Sequence, residues 1–568
     1  VLVNTGLRRA IGAGINKGLS FFAPLKTSLF LARGTGSPTY TRATTAYVTD
    51  FEGLLKQVPS GCARFTGARM VWNQLNDSED NTINNGAPTS NCTVTSSTVR
   101  PDAASAYNYL RSSTYPSKVG VCRGSVKLSS LDGKASIGLR IVANGTGVTQ
   151  ITVPLSTTPT RYSISINTAL TTTSIDIGVD NRIAQGGDGT TTGTVIAEEW
   201  LLEDVTGQSN QNPSEYVSVG VLSAPYHGAG ADGCKFFDTE NGNTVASNVV
   251  TEATGAAIAD ATLDGYLAEG QRQNRCLYAQ DFTNPVWVSG GGGIAVTPNT
   301  AVAPDGTTTA DTLTASGANG TLIQDLGVVA SAAKAGGLYL KRKTGTGNID
   351  LTLDGGATWT TVAVTSSWLL LEKTQTLANE DFGIRIVTSG DAVYAWQAQV
   401  ETAAFISSPI PTTTAAVTRN ADVLTYPSAG NISDESGTCY AESKLKIVNC
   451  YIVSTATNIA NGSPIAIGSN YTNLLDSVGA RYFNTNPTVP ASVISKFVTR
   501  WNAATPESCG ALDGVLGTSR TYSGTIVRAP ILIGINNSFG SGEAYTGIRN
   551  VKIWKTAKID AQLQALTT

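Results

Sequence analysis

Five consecutive stretches decide the fold: VCRGSVKLSS (121–130), ASIGLRIVA (135–143), TQITVPLS (149–156), RYSISINT (161–168) and SIDIGVD (174–180). In each, apolar and polar residues alternate, with Gly, Asn and Asp between the stretches. A period of two puts one set of side chains on each face of a strand. The pattern predicts a half-buried antiparallel sheet, most often a sandwich.

The composition of the whole chain agrees with an all-β fold. Its 568 residues imply several domains rather than one core. Charged residues make up only 14%, while there are 59 Gly. Abundant Thr, Ser, Val, Ile and Gly favour extended chain and tight turns over helix. A net charge of −3 without charged blocks offers no attraction for nucleic acid or an anionic membrane. One His, His227, rules out any site needing two imidazoles. The cysteines are Cys62, Cys92, Cys122, Cys234, Cys276, Cys439, Cys450 and Cys509. None form a CxxC pair, and they read as mostly reduced, small buried groups. The first residues show no signal peptide, and LSFFAPLKTSLFLA is too broken by Pro24 and Lys26 to span a bilayer. A soluble chain made in a cytoplasm is expected.

Residues 1–58 do not read as a domain. RRAIGAGINKGLSFFAPL predicts one short helix ending before Pro24. The apolar cluster Phe21, Phe22, Leu25, Leu29, Phe30 and Leu31 needs cover. An anchoring arm that packs on a partner is one reading. A first strand laid on the next domain is an alternative of equal standing. A repeat follows. GARMVWNQLNDSED (67–80) matches EGQRQNRCLYAQDF (269–282), and residues 125–142 match 338–355. EEWLLEDVTG (198–207) matches YAWQAQVETA (394–403), which aligns Trp200 with Trp396 as core residues. The expected layout is an arm (1–58), a first sandwich (59–207), a β-rich connector (208–268), a second sandwich (269–410), a linker (411–430) and a third sandwich (431–568). IDAQLQALTT closes the chain as a short helix with Leu563 and Leu566 on one face.

Four segments resemble stretches that recur in tailed-bacteriophage virion proteins: residues 37–55, 214–233, 265–287 and 408–424. The last domain is similar to concanavalin A/laminin-G-like sandwiches. Its closing pattern reads Gly547, Ile548, Val551, Ile553, Trp554, then Asp560, Ala561, Leu563. The repeated modules resemble jelly-roll carbohydrate-binding modules of the same proteins. The resemblance implies an all-β chain of three antiparallel jelly-roll or concanavalin A-like sandwiches on a short arm. It implies a virion structural protein of the tail-fibre, head-fibre or baseplate type, assembled in the host cytoplasm and usually homotrimeric. Other virion proteins would hold residues 1–58, and host-surface glycan would be the ligand. A polysaccharide depolymerase and a purely architectural virion protein are the alternatives.

TLDGGATW (352–359) resembles the "Asp box" of sialidases. Asp354 suits backbone N–H groups, Gly356 allows positive φ, and Trp359 can pack beneath. One box without blade repeats reads as a structural turn rather than a catalytic centre. Glu198, Glu199, Glu203 and Asp204 read as a solvated edge or as partners of a Lys or Arg rather than a glycosidase pair. His227 lies in a Gly-rich turn without a nucleophile elbow. The chain therefore reads as a non-enzyme without a required cofactor. Calcium is the one ion its patterns admit, at Asp188 or Asp513, although Asp-Gly is foremost a turn. For sugar stacking the candidates are Tyr107, Tyr109 and Tyr115 in an aromatic loop, with Trp287 and Trp368 in the second module.

Overall fold

The computed structural model describes residues 17–112, 119–169, 172–221, 227–444, 452–455, 465–468, 471–475, 481–485, 493–519, 521–522, 530–534 and 546–568. The fold is all-β: antiparallel strands form three sandwiches, with one α-helix, Asp560–Thr567, among the described residues. No described helix is long and apolar enough to cross a membrane.

The five opening stretches are strands of the first sandwich. One sheet runs Gly147–Pro154, Ser136–Ala143, Ile175–Asp180, Tyr107–Arg111, Thr89–Ser90. The facing sheet centres on Thr160–Thr168, Gly120–Ser130 and Val195–Asp204. Leu139, Ile141 and Ile177 from one meet Val126, Ile164 and Leu202 from the other. The sheets approach so closely at Gly124 that a Cβ there would lie 2.2 Å from Ile177 Cδ1. Ile175–Asp180 is buried along its whole length rather than on one face. Its polar members are neutralised instead: Arg111 binds Asp176 at 2.7 Å, and Arg140 binds Asp180 at 2.9 Å.

The second sandwich is one sheet folded over itself. The long strands Gly320–Thr344 and Leu369–Ile386 lose register around Asp325 to Ala332. Before that break they are flanked by Val288–Gly291 and Ile349–Thr352. Beyond it they are flanked by Ala392–Glu401. The two halves enclose Leu322, Leu340, Leu351, Phe382 and Val393.

The third sandwich redraws the expected domain layout. Its main sheet contains Ser436–Lys444, Ile494–Asn502 and Thr546–Trp554. Leu19–Ala23 pairs with residues 551–554, and Gly265–Ala268 with residues 546–548. Phe21, Leu25, Leu29, Phe65, Tyr266, Tyr426, Trp501 and Ile553 share one core. Much of the expected arm from Lys17 onward is therefore part of this domain, as is the end of the connector, while Tyr47 and Leu55 pack with Ala303 and Trp396 of the second sandwich. Phe21, Leu25 and Leu29 find their cover within the chain while Phe30 stays half exposed, and the strand lies on the last domain rather than on the next one. Residues 19–23 are a strand, not the expected helix, and residues 1–16 lie outside the described residues. The linker is also structured: Val417–Arg419 pairs with Arg272–Asn274, and Val423–Tyr426 joins Thr39–Thr41 in a further sheet of this domain. The final helix buries Leu563 as its pattern predicts.

The repeated sandwiches thus leave and rejoin a discontinuous body, and a charged joint sits where they do so. Arg64 is buried against Asp422 and Glu269, the latter at 2.8 Å. Arg42 meets Asp422 at 3.0 Å, and Arg419 meets Glu269 at 2.8 Å. Burial pushes the Asp422 carboxyl up, but Arg64 and Arg42 outweigh it and hold it below the usual range. Removing one partner from such a cluster strands a buried charge. Arg42, Glu269, Arg419 and Asp422 fall in three of the four segments with the virion-protein resemblance, and Arg64 lies outside them. Cys62 and Cys234, on the chain entering and leaving the first sandwich, are disulfide-bonded. That corrects the reduced reading for this pair, which sequence spacing hides because 172 positions separate them. Cys92, Cys276, Cys439 and Cys509 are free thiols; Cys450 lies outside the described residues.

Candidate functional site

The repeat places the same hydrogen bonds in both sandwiches. Buried Asn73 donates through Nδ2 to the carbonyls of Trp200 (2.7 Å) and Val217 (3.0 Å), and accepts from Leu202 N (3.2 Å). Asn274 donates to the carbonyls of Ala398 (3.0 Å) and Ile410 (2.9 Å), and accepts from Val400 N (3.0 Å). Ser78 N donates to Val219 O at 3.0 Å, as Ala279 N does to Thr412 O at 3.3 Å. Asp80 accepts from Thr82 N at 2.9 Å, as Asp281 does from Thr283 N at 3.1 Å. The matched positions are therefore Asp77 and Tyr278, Glu79 and Gln280, Glu199 and Gln397, Trp200 and Ala398. Glu199 and Gln397 are both bulge residues with positive φ, 55° and 54°. Trp200 follows its bulge, whereas Trp396 precedes it. The two tryptophans are both buried, but in different clusters. Their alignment in the sequence is corrected accordingly.

At this turn the second sandwich opens into a cavity of about 690 Å³. Its walls come from residues 278–283, Pro298 and Asn299, Thr309 and Asp311, and residues 411–417. Tyr278 adopts a left-handed backbone (φ 48°), and its N–H donates to Thr413 O at 2.8 Å. Gln280 donates to Gln397 Oε1 at 2.9 Å. Buried Asp311 accepts from Phe282 N (3.0 Å) on one oxygen and from Asn299 N (2.9 Å) on the other. Burial pushes its pKa up, and the neighbouring Asp281 charge adds to the rise. A second cavity of about 320 Å³ shares Pro411 and Val417 and extends the cleft past Thr44, Tyr47 and Arg419. An aromatic ring, prolines, amides and hydroxyls together match the alternating apolar faces and polar edges of a sugar chain.

The residues picked from sequence lie elsewhere. Tyr107–Arg111 is an inner strand, not a loop. Tyr109 is buried and hydrogen-bonds Asp180 at 2.7 Å, while Arg182 covers the Tyr107 ring at 4.6 Å. Tyr115 lies outside the described residues. Trp287 is in the core against Phe282 and donates to Tyr278 O at 3.3 Å, so it supports the cleft from beneath. Trp368 donates to Val302 O at 3.0 Å beside Tyr394. None of these five lines the cleft among the described residues.

Asp188 already has a cation: the Lys134 ammonium binds it, together with Asn181 (2.6 Å) and Thr190 O (2.8 Å). Burial raises the Asp188 pKa, but the Lys134 and Thr190 bonds outweigh it, with a net lowering. Asp513 and Gly514 form a tight hairpin turn with φ of 44° and 82°. No group of three or more metal-ligating residues stands together among the described residues.

In the box, Asp354 accepts from Thr358 N (2.8 Å), Thr358 Oγ1 (2.6 Å), Gln375 (2.9 Å) and Thr352 (2.9 Å). Burial raises its pKa, but these bonds prevail and hold the carboxyl well below the usual range. Gly356 has φ of 96° and lies against Trp359, whose ring Arg385 covers at 4.5 Å. All its groups are spent on the turn. Glu199 binds Lys127 and Arg161, each at 2.6 Å, and Glu203 is buried, so neither is a free acid facing a substrate. His227 bonds Ser218 Oγ at 3.0 Å.

The cleft escaped sequence reading because its walls come from four segments, one of them read as linker. The available signal was Tyr278, the aromatic that stands in the repeat where the first module has Asp77.

No family model and no curated protein matches the chain. Among solved structures, domain 4 of AbnA, a GH43 extracellular arabinanase from Geobacillus stearothermophilus in complex with arabinotriose, matches with a TM-score of 0.23 at 13% identity. It covers 26% of this chain and 73% of that one. The CBM40 of the Ruminococcus gnavus IT-sialidase bound to α2,3-sialyllactose has a TM-score of 0.21 at 14% identity, covering 24% and 84%. A putative carbohydrate binding protein from Bacteroides ovatus has a TM-score of 0.20 at 12% identity, covering 43% and 77%. These likenesses assign no ligand to this chain.

Proposed function

We propose that this protein is a structural component of a tailed-bacteriophage virion surface that binds glycan through the cleft of its second sandwich. The cleft carries the reading: Tyr278, Pro298 and Pro411 supply apolar faces, while Gln280, Asn299 and Thr413 supply hydrogen bonds. The virion assignment rests on the four resembling segments. Binding without cleavage is favoured by Asp311, whose two oxygens are both engaged by backbone N–H groups. Several copies on a particle, a homotrimer in the expected form, would multiply a weak single-site affinity. Mass photometry of the full chain tests the trimer.

The binding test is calorimetric titration of the full chain with uncharged oligosaccharides. Tyr278→Ala should weaken binding at least about tenfold, equivalent to about 1.4 kcal/mol, with an unchanged unfolding transition. Equal affinity in the variant would remove the cleft from the reading. Oligosaccharide shortened during incubation would replace binding with hydrolysis.

A further inference from the structure

We infer that the cleft of the second sandwich selects uncharged glycans and rejects acidic ones. The inference rests on the glycan-binding reading above and adds the ligand class. Its charged lining consists of Asp281 and Asp311; no Lys, Arg or His lines the main cavity among the described residues. An acidic sugar needs a guanidinium or ammonium to replace the water it loses, and without one its carboxylate stays costly to bury. The adjoining cavity does contain Arg419, but that guanidinium is held by Glu269 (2.8 Å), Ser408 Oγ (2.8 Å) and Gly270 O (2.8 Å). It is also buried, so turning to a ligand would strand Glu269.

The Asp281 charge already helps to raise the Asp311 pKa. A third negative charge in the same cavity meets both. The remaining polar groups, Gln280, Asn299 and the threonine hydroxyls, are neutral donors and acceptors of the kind that read hydroxyl and acetamido groups.

The full chain is titrated at low salt with maltopentaose, penta-N-acetylchitopentaose, tetragalacturonate and sialyllactose. The expected result is binding of at least one uncharged probe and at least tenfold weaker binding of both acidic ones. Added salt should narrow the gap, because it screens like-charge repulsion. Asp281→Asn, at an exposed position, should narrow the same ratio. An acidic probe that binds as tightly as the uncharged ones would overturn the selectivity and leave the glycan site standing. If no probe binds, the glycan reading itself falls and the selectivity with it.

Discussion

Where the first sandwich has Asp77, Glu79 and Glu199, the second has Tyr278, Gln280 and Gln397. The backbone beneath is the same turn, held by the same buried asparagine. In the first, Asp77 accepts from Glu79 N at 2.9 Å and Asp80 N at 3.0 Å. Glu79 accepts from Tyr216 OH (2.6 Å) and from Glu199 N (3.2 Å), and Glu199 holds Lys127 and Arg161. That turn is laced shut by charge. In the second, two neutral amides meet at 2.9 Å, and an aromatic side chain fronts an open cavity. The contrast separates scaffold from function: the repeat preserves the bonds that satisfy buried backbone, while the side chains on its outer lip differ freely.

The two sandwiches differ most in how their cores fill the space beneath this turn. Trp200 donates to Asn81 Oδ1 at 2.9 Å, and the corresponding pair in the second sandwich is Ala398 and Phe282. Size has moved from one partner to the other. Trp200→Ala should cost about 3–5 kcal/mol by denaturant unfolding. Adding Asn81→Phe should return part of that loss if the positions are equivalent; no recovery would mean that the two cores are built differently.

Next come the asparagines. Asn73→Ala and Asn274→Ala each leave several buried backbone groups without partners. Each should cost about 3 kcal/mol, and unequal losses would show that one sandwich depends less on its turn.

The smallest effect concerns Glu203 and Glu401, another matched pair. Glu203 accepts from Ser214 N at 2.7 Å, and Glu401 from Ser407 N at 3.3 Å. Burial raises the pKa of both. Their neutral forms are favoured on folding, so this stability is fully present below the unfolded carboxyl pKa and is lost as pH rises through the folded one. Glu203→Gln and Glu401→Gln should each flatten the fall in stability from acid to neutral pH, as read by unfolding midpoints across that range. A slope unchanged in one variant would mark that carboxyl as ionised in the fold.

The strands were legible in residues 121–180 because a period of two is written within a few neighbours. The repeat was legible through Asn73 and Asn274, which recur with their flanking pattern. Its tryptophans misled, because a bulge at Glu199 and Gln397 changes which face the next residue takes, and no local pattern marks a bulge. Tyr109 and Trp287 looked like exposed platforms because aromatic residues serve cores and surfaces alike.

The all-β class, the duplication, the turn at Asp354 and the closing helix are properties of short stretches acting on their own backbone. Which stretches share a core was settled by long-range packing. It placed Leu19–Ala23 on the last strand of the chain, joined Cys62 to Cys234, gathered Arg64, Glu269 and Asp422 into one joint, and assembled the cleft from four segments. The physical reason is that burial is non-directional: an apolar strand encodes that it must be covered, and only the competition among all the chain's surfaces settles by what.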